Sequence, residues 1–153
     1  MRFTLNCEGT ETLGKILGES LPTGTFLALS GDLGGGKTTF TKALAQGLGF
    51  SGEVTSPTFN LLHIYEGGRA PLYHFDLYRI KNPEELMDIG FEEYVESDGI
   101  TAAEWAEYAG EALPERRIEL HFEKAGETER TVEILPVQCE LGAELERRLM
   151  ELQ

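Results

Sequence analysis

The sequence predicts a three-layer α/β domain whose central sheet mixes parallel and antiparallel strands, and three observations carry that prediction. Residues 25–48 run as an apolar segment, a glycine-rich loop and an amphipathic segment, which is the order strand, loop, helix. Two stretches of alternating polarity, centred on Gly67 and on Gly126, have the form of β-hairpins. Apolar stripes at helical spacing near both ends of the chain supply layers to cover a sheet. The 153 residues suit one domain spanning 1–153, large enough for a real core and too short for two.

Taken in order, Phe3 to Leu5 reads as a short edge strand, and Thr10 to Glu19 as a helix with Leu13, Ile16 and Leu17 on one face. Thr25 to Ser30 is apolar enough for a buried strand. Beyond the glycine loop, Phe40, Leu44 and Leu48 recur at helical spacing until Gly49 stops them. Thr55-Ser56-Pro57-Thr58-Phe59 is expected to be a polar loop, because Pro57 keeps it out of any helix. Asn60 to Tyr65 and Leu72 to Tyr78 are β-like runs joined by Glu66-Gly67-Gly68-Arg69. In the second run alternation puts Tyr73, Phe75 and Leu77 on one face and His74, Asp76 and Tyr78 on the other.

Asn82-Pro83-Glu84-Glu85 has the N-cap, first-turn proline and acidic residues of a helix start, carrying Leu86, Met87 and Ile89 as far as Gly90. Ile100 to Ala103 is a short buried strand ending at Glu104-Trp105. Arg117 to Glu123 alternates Ile118, Leu120 and Phe122 with polar residues and pairs with Thr131 to Leu135. Leu141, Leu145, Leu149 and Leu152 give the C-terminal segment its helical stripe.

The chemistry is concentrated in Gly31-Asp32-Leu33-Gly34-Gly35-Gly36-Lys37-Thr38-Thr39, which fits the phosphate-binding pattern G-x-x-x-x-G-K-[ST]. Its setting between a strand and a helix makes the domain P-loop NTPase-like. Glycines let successive N–H groups converge on an anion at a helix N-terminus. Lys37 is expected to reach the β/γ-phosphates and the Thr38 hydroxyl to ligate Mg²⁺. Nucleotide-binding residues on this reading are Asp32, Leu33, Gly34, Gly35, Gly36, Lys37, Thr38 and Thr39.

Hydrolysis also wants a carboxylate near the metal and a group that positions water. Asp76 lies on the polar face of a strand, where an unpaired charge is costly without a purpose; the alternative is a structural acid paired with Arg79. Glu104 ends an apolar strand, where α/β sheets place their ligands; the alternative is an acidic cap before Trp105. His74 shares a face with Asp76 and is placed to orient it. Ser56 and Thr58 lie where P-loop proteins keep a switch segment. His63, His74 and His121 show no metal-ligand spacing.

Composition sets limits. The net charge is −14 and the 13 Lys and Arg residues are scattered, only Arg116-Arg117 and Arg147-Arg148 being adjacent. Tight unaided binding to nucleic acid wants a basic stripe, which is missing. No apolar run approaches a membrane span, and the first residues lack a signal-peptide pattern. Cys7 and Cys139 are too few and too far apart for a disulfide scaffold, so reduced thiols in a cytoplasmic protein are expected.

These motifs together resemble the TsaE family, small bacterial P-loop ATPases of tRNA threonylcarbamoyladenosine synthesis. The resemblance rests on the Gly31–Phe40 loop, Ser56-Pro57-Thr58-Phe59, His74-Phe75-Asp76-Leu77-Tyr78-Arg79 and Glu104-Trp105, with the Pro83-Glu84-Glu85-Leu86 helix start. It departs at Gly35, where the family commonly has alanine, and in the small residues of Ile100 to Ala103. Beyond Pro114 the likeness is only of length and hairpin pattern. The resemblance implies weak ATP hydrolysis with catalytic Lys37, Asp76 and Glu104, Mg²⁺ held by Thr38 and Glu104, and Thr58 in the switch loop. It places the adenine near Cys7. It further implies work with TsaD and TsaB on adenosine 37 of tRNAs reading codons that begin with A, the tRNA being held by those partners. The rivals are a small-molecule kinase, for which Arg116-Arg117 is the only lid candidate, and an ATP-dependent assembly switch that needs no hydrolysis. A GTPase would want an Asn-Lys-x-Asp element, which does not occur.

Overall fold

The protein was analysed as a computed structural model that describes residues 1–31, 36–50, 54–58 (backbone only) and 61–152. Among these, eight strands form one sheet: β1 (Arg2–Asn6), β2 (Phe26–Gly31), β3 (Val54–Thr58), β4 (Leu62–Tyr65), β5 (Leu72–Asp76), β6 (Ile100–Glu104), β7 (Arg117–Lys124) and β8 (Glu129–Val137), in the order β1-β8-β7-β2-β6-β5-β4-β3. The central four, β7, β2, β6 and β5, are parallel, and antiparallel strands extend both edges. The fold class is therefore the one the sequence predicts.

Burial explains the layout. Phe26 and Ala28 of β2 face one core and Leu27 and Leu29 the other, so this strand is covered on both sides. Helices α1 (Cys7–Ser20), α2 (Lys37–Gly47) and α5 (Ala143–Met150) form the layer around Leu13, Leu17, Phe40, Leu44, Leu145 and Leu149. On the opposite face lie α3 (Glu85–Asp88), α4 (Phe91–Val95) and a 3-10 helix (Ala106–Ala112), contributing Leu86, Phe91 and Ala109. On β7, the last parallel strand before the antiparallel β8, Ile118, Leu120 and Phe122 are buried while Glu119 and His121 keep contact with solvent, the pattern of a half-covered strand. No helix of the described residues is long and apolar enough to cross a membrane.

Several boundaries differ from expectation. Helix α1 starts at Cys7, three residues before the predicted Thr10, because Asn6 caps it: its Oδ1 accepts from the Gly9 N–H at 2.8 Å. The predicted loop over Thr55 to Phe59 contains strand β3. It is the last strand of the sheet and shifts register between Thr55 and Thr58, positions where a residue without an N–H is tolerated. Strand β5 stops at Asp76 rather than Tyr78, since the Asp76 Oδ1 accepts the Tyr78 N–H at 3.1 Å and turns the chain.

Asn82 is not the cap of α3. Its side chain accepts from the Glu84 N–H at 3.0 Å, and the helix begins at Glu85. The Glu85 carboxylate reaches back to the Lys81 and Asn82 N–H groups, which holds its pKa below the ordinary value.

Candidate active site

Alternation decides which side chains meet. In β5 Leu72 faces the α1–α2 layer, so His74 and Asp76 do too; in β6 Ile100 and Ala102 face it, so Glu104 does as well. The parallel register sets Asp76 directly beside Glu104 at the carboxyl ends of the two strands. Strand β2 ends between them and β7, and its chain continues toward α2, whose N-terminus points to the same edge. The result is a cleft of about 730 Å³ lined by Gly36, Lys37, Thr38 and Thr39, by Asp76, Glu104 and Trp105, by Asn6, Cys7, Glu8 and Thr10, and by Glu127, Thr128 and Arg130. Its size suits a small ligand.

Gly36 precedes α2 with φ 101°, in the left-handed region that favours glycine, and no side chain caps the helix start. The exposed N–H groups and the helix dipole there favour an anion. Lys37, only 5% exposed, donates from Nζ to the Gly31 carbonyl at 3.0 Å, and the ammonium lies 3.9 Å from the centroid of the Trp105 ring. Trp105 itself has φ 59°, an unusual conformation for a bulky residue; its ring stacks on Tyr108 and meets Tyr78 at a tilt.

Glu104 is 8% exposed and pairs with His74, Nε2 to Oε2, at 2.6 Å. The expectation that His74 orients Asp76 is thus corrected: the imidazole lies across to the neighbouring strand. The cap alternative for Glu104 also fails, because the residue is the last of β6 and its bond is to His74. Asp76 forms no ion pair among the described residues, so the Arg79 alternative is not realised. Around this pair, burial lowers the pKa of His63, and the His74 imidazole lowers it further against the pull of Asp76 and Glu104. Burial also raises Tyr65, with the charge of Glu104 adding to it.

Of the residues singled out in the sequence, the structure brings Cys7, Gly36, Lys37, Thr38, Thr39, Asp76 and Glu104 to one cleft. Asp32, Leu33, Gly34 and Gly35 lie outside the described residues, as do the side chains of Ser56 and Thr58. Trp105 packs against the second core and also lines the cleft beneath Lys37. The Glu127–Arg130 wall went unanticipated, since only the pairing of β8 with β1 carries that hairpin to the start of α1.

A central parallel sheet, a helix aimed across its carboxyl ends and a lysine–threonine pair opening that helix define the class: an α/β protein with a P-loop-like fold. Known proteins resemble it over most of its length. The profile of the family described as threonylcarbamoyl adenosine biosynthesis protein TsaE matches residues 4–132. The tRNA threonylcarbamoyladenosine biosynthesis protein TsaE of Bacillus subtilis is 42% identical, covering 84% of this chain and 80% of the relative. The protein of that name from Nostoc is 40% identical, with 92% and 88% covered. The crystal structure of YdiB from Bacillus subtilis superimposes with a TM-score of 0.76 at 33% identity, covering 99% of this chain and 93% of that one. The chain belongs to the TsaE family.

Proposed function

We propose that this protein binds ATP with Mg²⁺ in the cleft, hydrolyses it weakly, and serves with TsaD and TsaB in threonylcarbamoyladenosine modification at position 37 of tRNAs reading codons that begin with A, in the cytoplasm. The single observation that carries the reading is the convergence of Lys37, Thr38, Asp76 and Glu104 on one cleft at the α2 N-terminus. The N–H groups at the start of α2 would hold phosphate, and Lys37 would leave the Gly31 carbonyl for the phosphate oxygens.

The donors suit magnesium, which takes one or two carboxylates and leaves its other positions to phosphate and water. Thr38 and Glu104 would hold it, with Asp76 beside them. Among the described residues no three His, Cys, Asp or Glu side chains form a closed cage. When bound, the ion would neutralise phosphate charge. Asp76 keeps one oxygen on the Tyr78 N–H and has the other available to orient a water.

A kinase is disfavoured by the place of its one lid candidate. Arg116 and Arg117 stand at the amino end of β7, lining a different hollow with Pro22 and Cys139, at the opposite end of the sheet from the cleft.

Reconstitution tests the proposal. With TsaD, TsaB, tRNA and the threonylcarbamoyl donor, modification should continue past one round per complex only when this protein and ATP are present. Equal multiple turnover without it would refute the reading. Repeated turnover supported by a variant that cannot hydrolyse ATP would favour the assembly switch.

A further inference from the structure

The buried His74 imidazole has no place in the reaction as drawn. It is 8% exposed, makes one hydrogen bond, to Glu104, and leaves Nδ1 without a partner. An ionised carboxylate only accepts, so Nε2 carries the proton of this bond. The ring is itself wedged: the centroids of His63 and Tyr65, both on β4, lie 5.8 and 6.4 Å away. A glutamate at a strand end has several rotamers open to it, and ordering it on a ligand costs entropy. A clamped imidazole holding one carboxylate oxygen removes that freedom in advance and leaves the other oxygen for the cleft. Imidazoles and carboxylates paired behind metal ligands commonly act in this way.

We propose that His74 is a positioning residue that fixes the Glu104 carboxylate for a divalent cation in the cleft. The inference rests on the reading of the cleft as a magnesium–ATP site. If His74 only filled space beside Glu104, His63 and Tyr65, an apolar side chain of similar size would serve equally.

The experiment measures Mn²⁺ binding by electron paramagnetic resonance on protein loaded with the non-hydrolysable analogue AMP-PNP, and AMP-PNP affinity in EDTA by calorimetry. His74→Leu should weaken Mn²⁺ binding about tenfold, the lower end for such partners, and leave metal-free nucleotide affinity unchanged. His74→Gln, which restores a donor near Nε2, should recover most of the loss, and Glu104→Gln should match or exceed it. Parent-like Mn²⁺ binding in His74→Leu overturns the inference alone. Failure of the parent to bind AMP-PNP or Mn²⁺ overturns the functional reading and this inference with it. Should His74→Leu not fold, ¹⁵N shifts of the parent's imidazoles decide: an Nε2–H tautomer at His74, retained when Mg²⁺ and AMP-PNP are added, supports the assignment, and an Nδ1–H tautomer overturns it.

Discussion

Lys37 is held by two partners, the Gly31 carbonyl at 3.0 Å and the Trp105 ring at 3.9 Å, which a triphosphate bound as proposed would have to displace. A cation over an indole gains about 0.5–2 kcal/mol, less than the charge-assisted bonds that phosphate oxygens offer. ATP should therefore pull the ammonium away. Trp105 is the only tryptophan, so its emission should change when AMP-PNP is added and stay constant in Lys37→Ala. In that variant ATP affinity should fall by about a hundredfold, the equivalent of one strong bond to a charged group; unchanged affinity by calorimetry would remove Lys37 from the phosphate site. Asp76→Ala should keep nucleotide affinity and lose turnover about a hundredfold, the scale of a positioned base. An unaltered hydrolysis rate would return Asp76 to a purely structural place. The residues that carry a motif were legible from the sequence because loop chemistry is local. The Glu104 partner of His74 was not, since it stands thirty positions away and only the β5–β6 adjacency brings it near.

At the scale of elements, periodicity found both hairpins and the long helices, and alternation sorted β5 correctly into a core face and a site face. It did worse where single hydrogen bonds decide, as at the Asn6 cap, the Asp76 turn and the edge strand β3. It also could not show how closely α1 and α2 pack. A Cβ placed on Gly18 would stand 2.3 Å from the Leu44 carbonyl oxygen and 2.8 Å from the Gly47 Cα. Both neighbours are backbone, so the helices would have to part. Gly18→Ala should then cost about 1–3 kcal/mol, lowering the melting temperature by several degrees. The contact lies toward the far end of α2 from Lys37, so AMP-PNP affinity should be preserved. Scanning fluorimetry and calorimetry on the same sample check both halves, and a parent-like melting temperature would show that the helix pair yields more easily than its geometry suggests.

Across the whole molecule, the segment beyond the matched residues 4–132 is not an appendage. Strand β8 runs to Val137 against β7, and α5 seats Leu145 and Leu149 in the larger core, with Arg148 bonded to Glu19 and Ser20 of α1. The sequence carries no basic stripe of the kind that nucleic-acid binding wants. With 27 Asp and Glu against 13 Lys and Arg, its field repels phosphate at long range. Affinity for tRNA comes largely from cations that displace condensed counterions, and each contact missing from that set also flattens the salt dependence. Lys37 is committed to the cleft, and the adjacent Arg147 and Arg148 are engaged by Glu144, Glu151 and Glu19. The isolated protein should therefore show no gel-shift of a tRNA transcript at physiological salt, and little at lower salt. Adding TsaD and TsaB should bring it into a tRNA-containing complex. Tight binding by the protein alone, weakening steeply as salt is raised, would mean that it holds tRNA itself and that its charge has been misjudged as a bar to doing so.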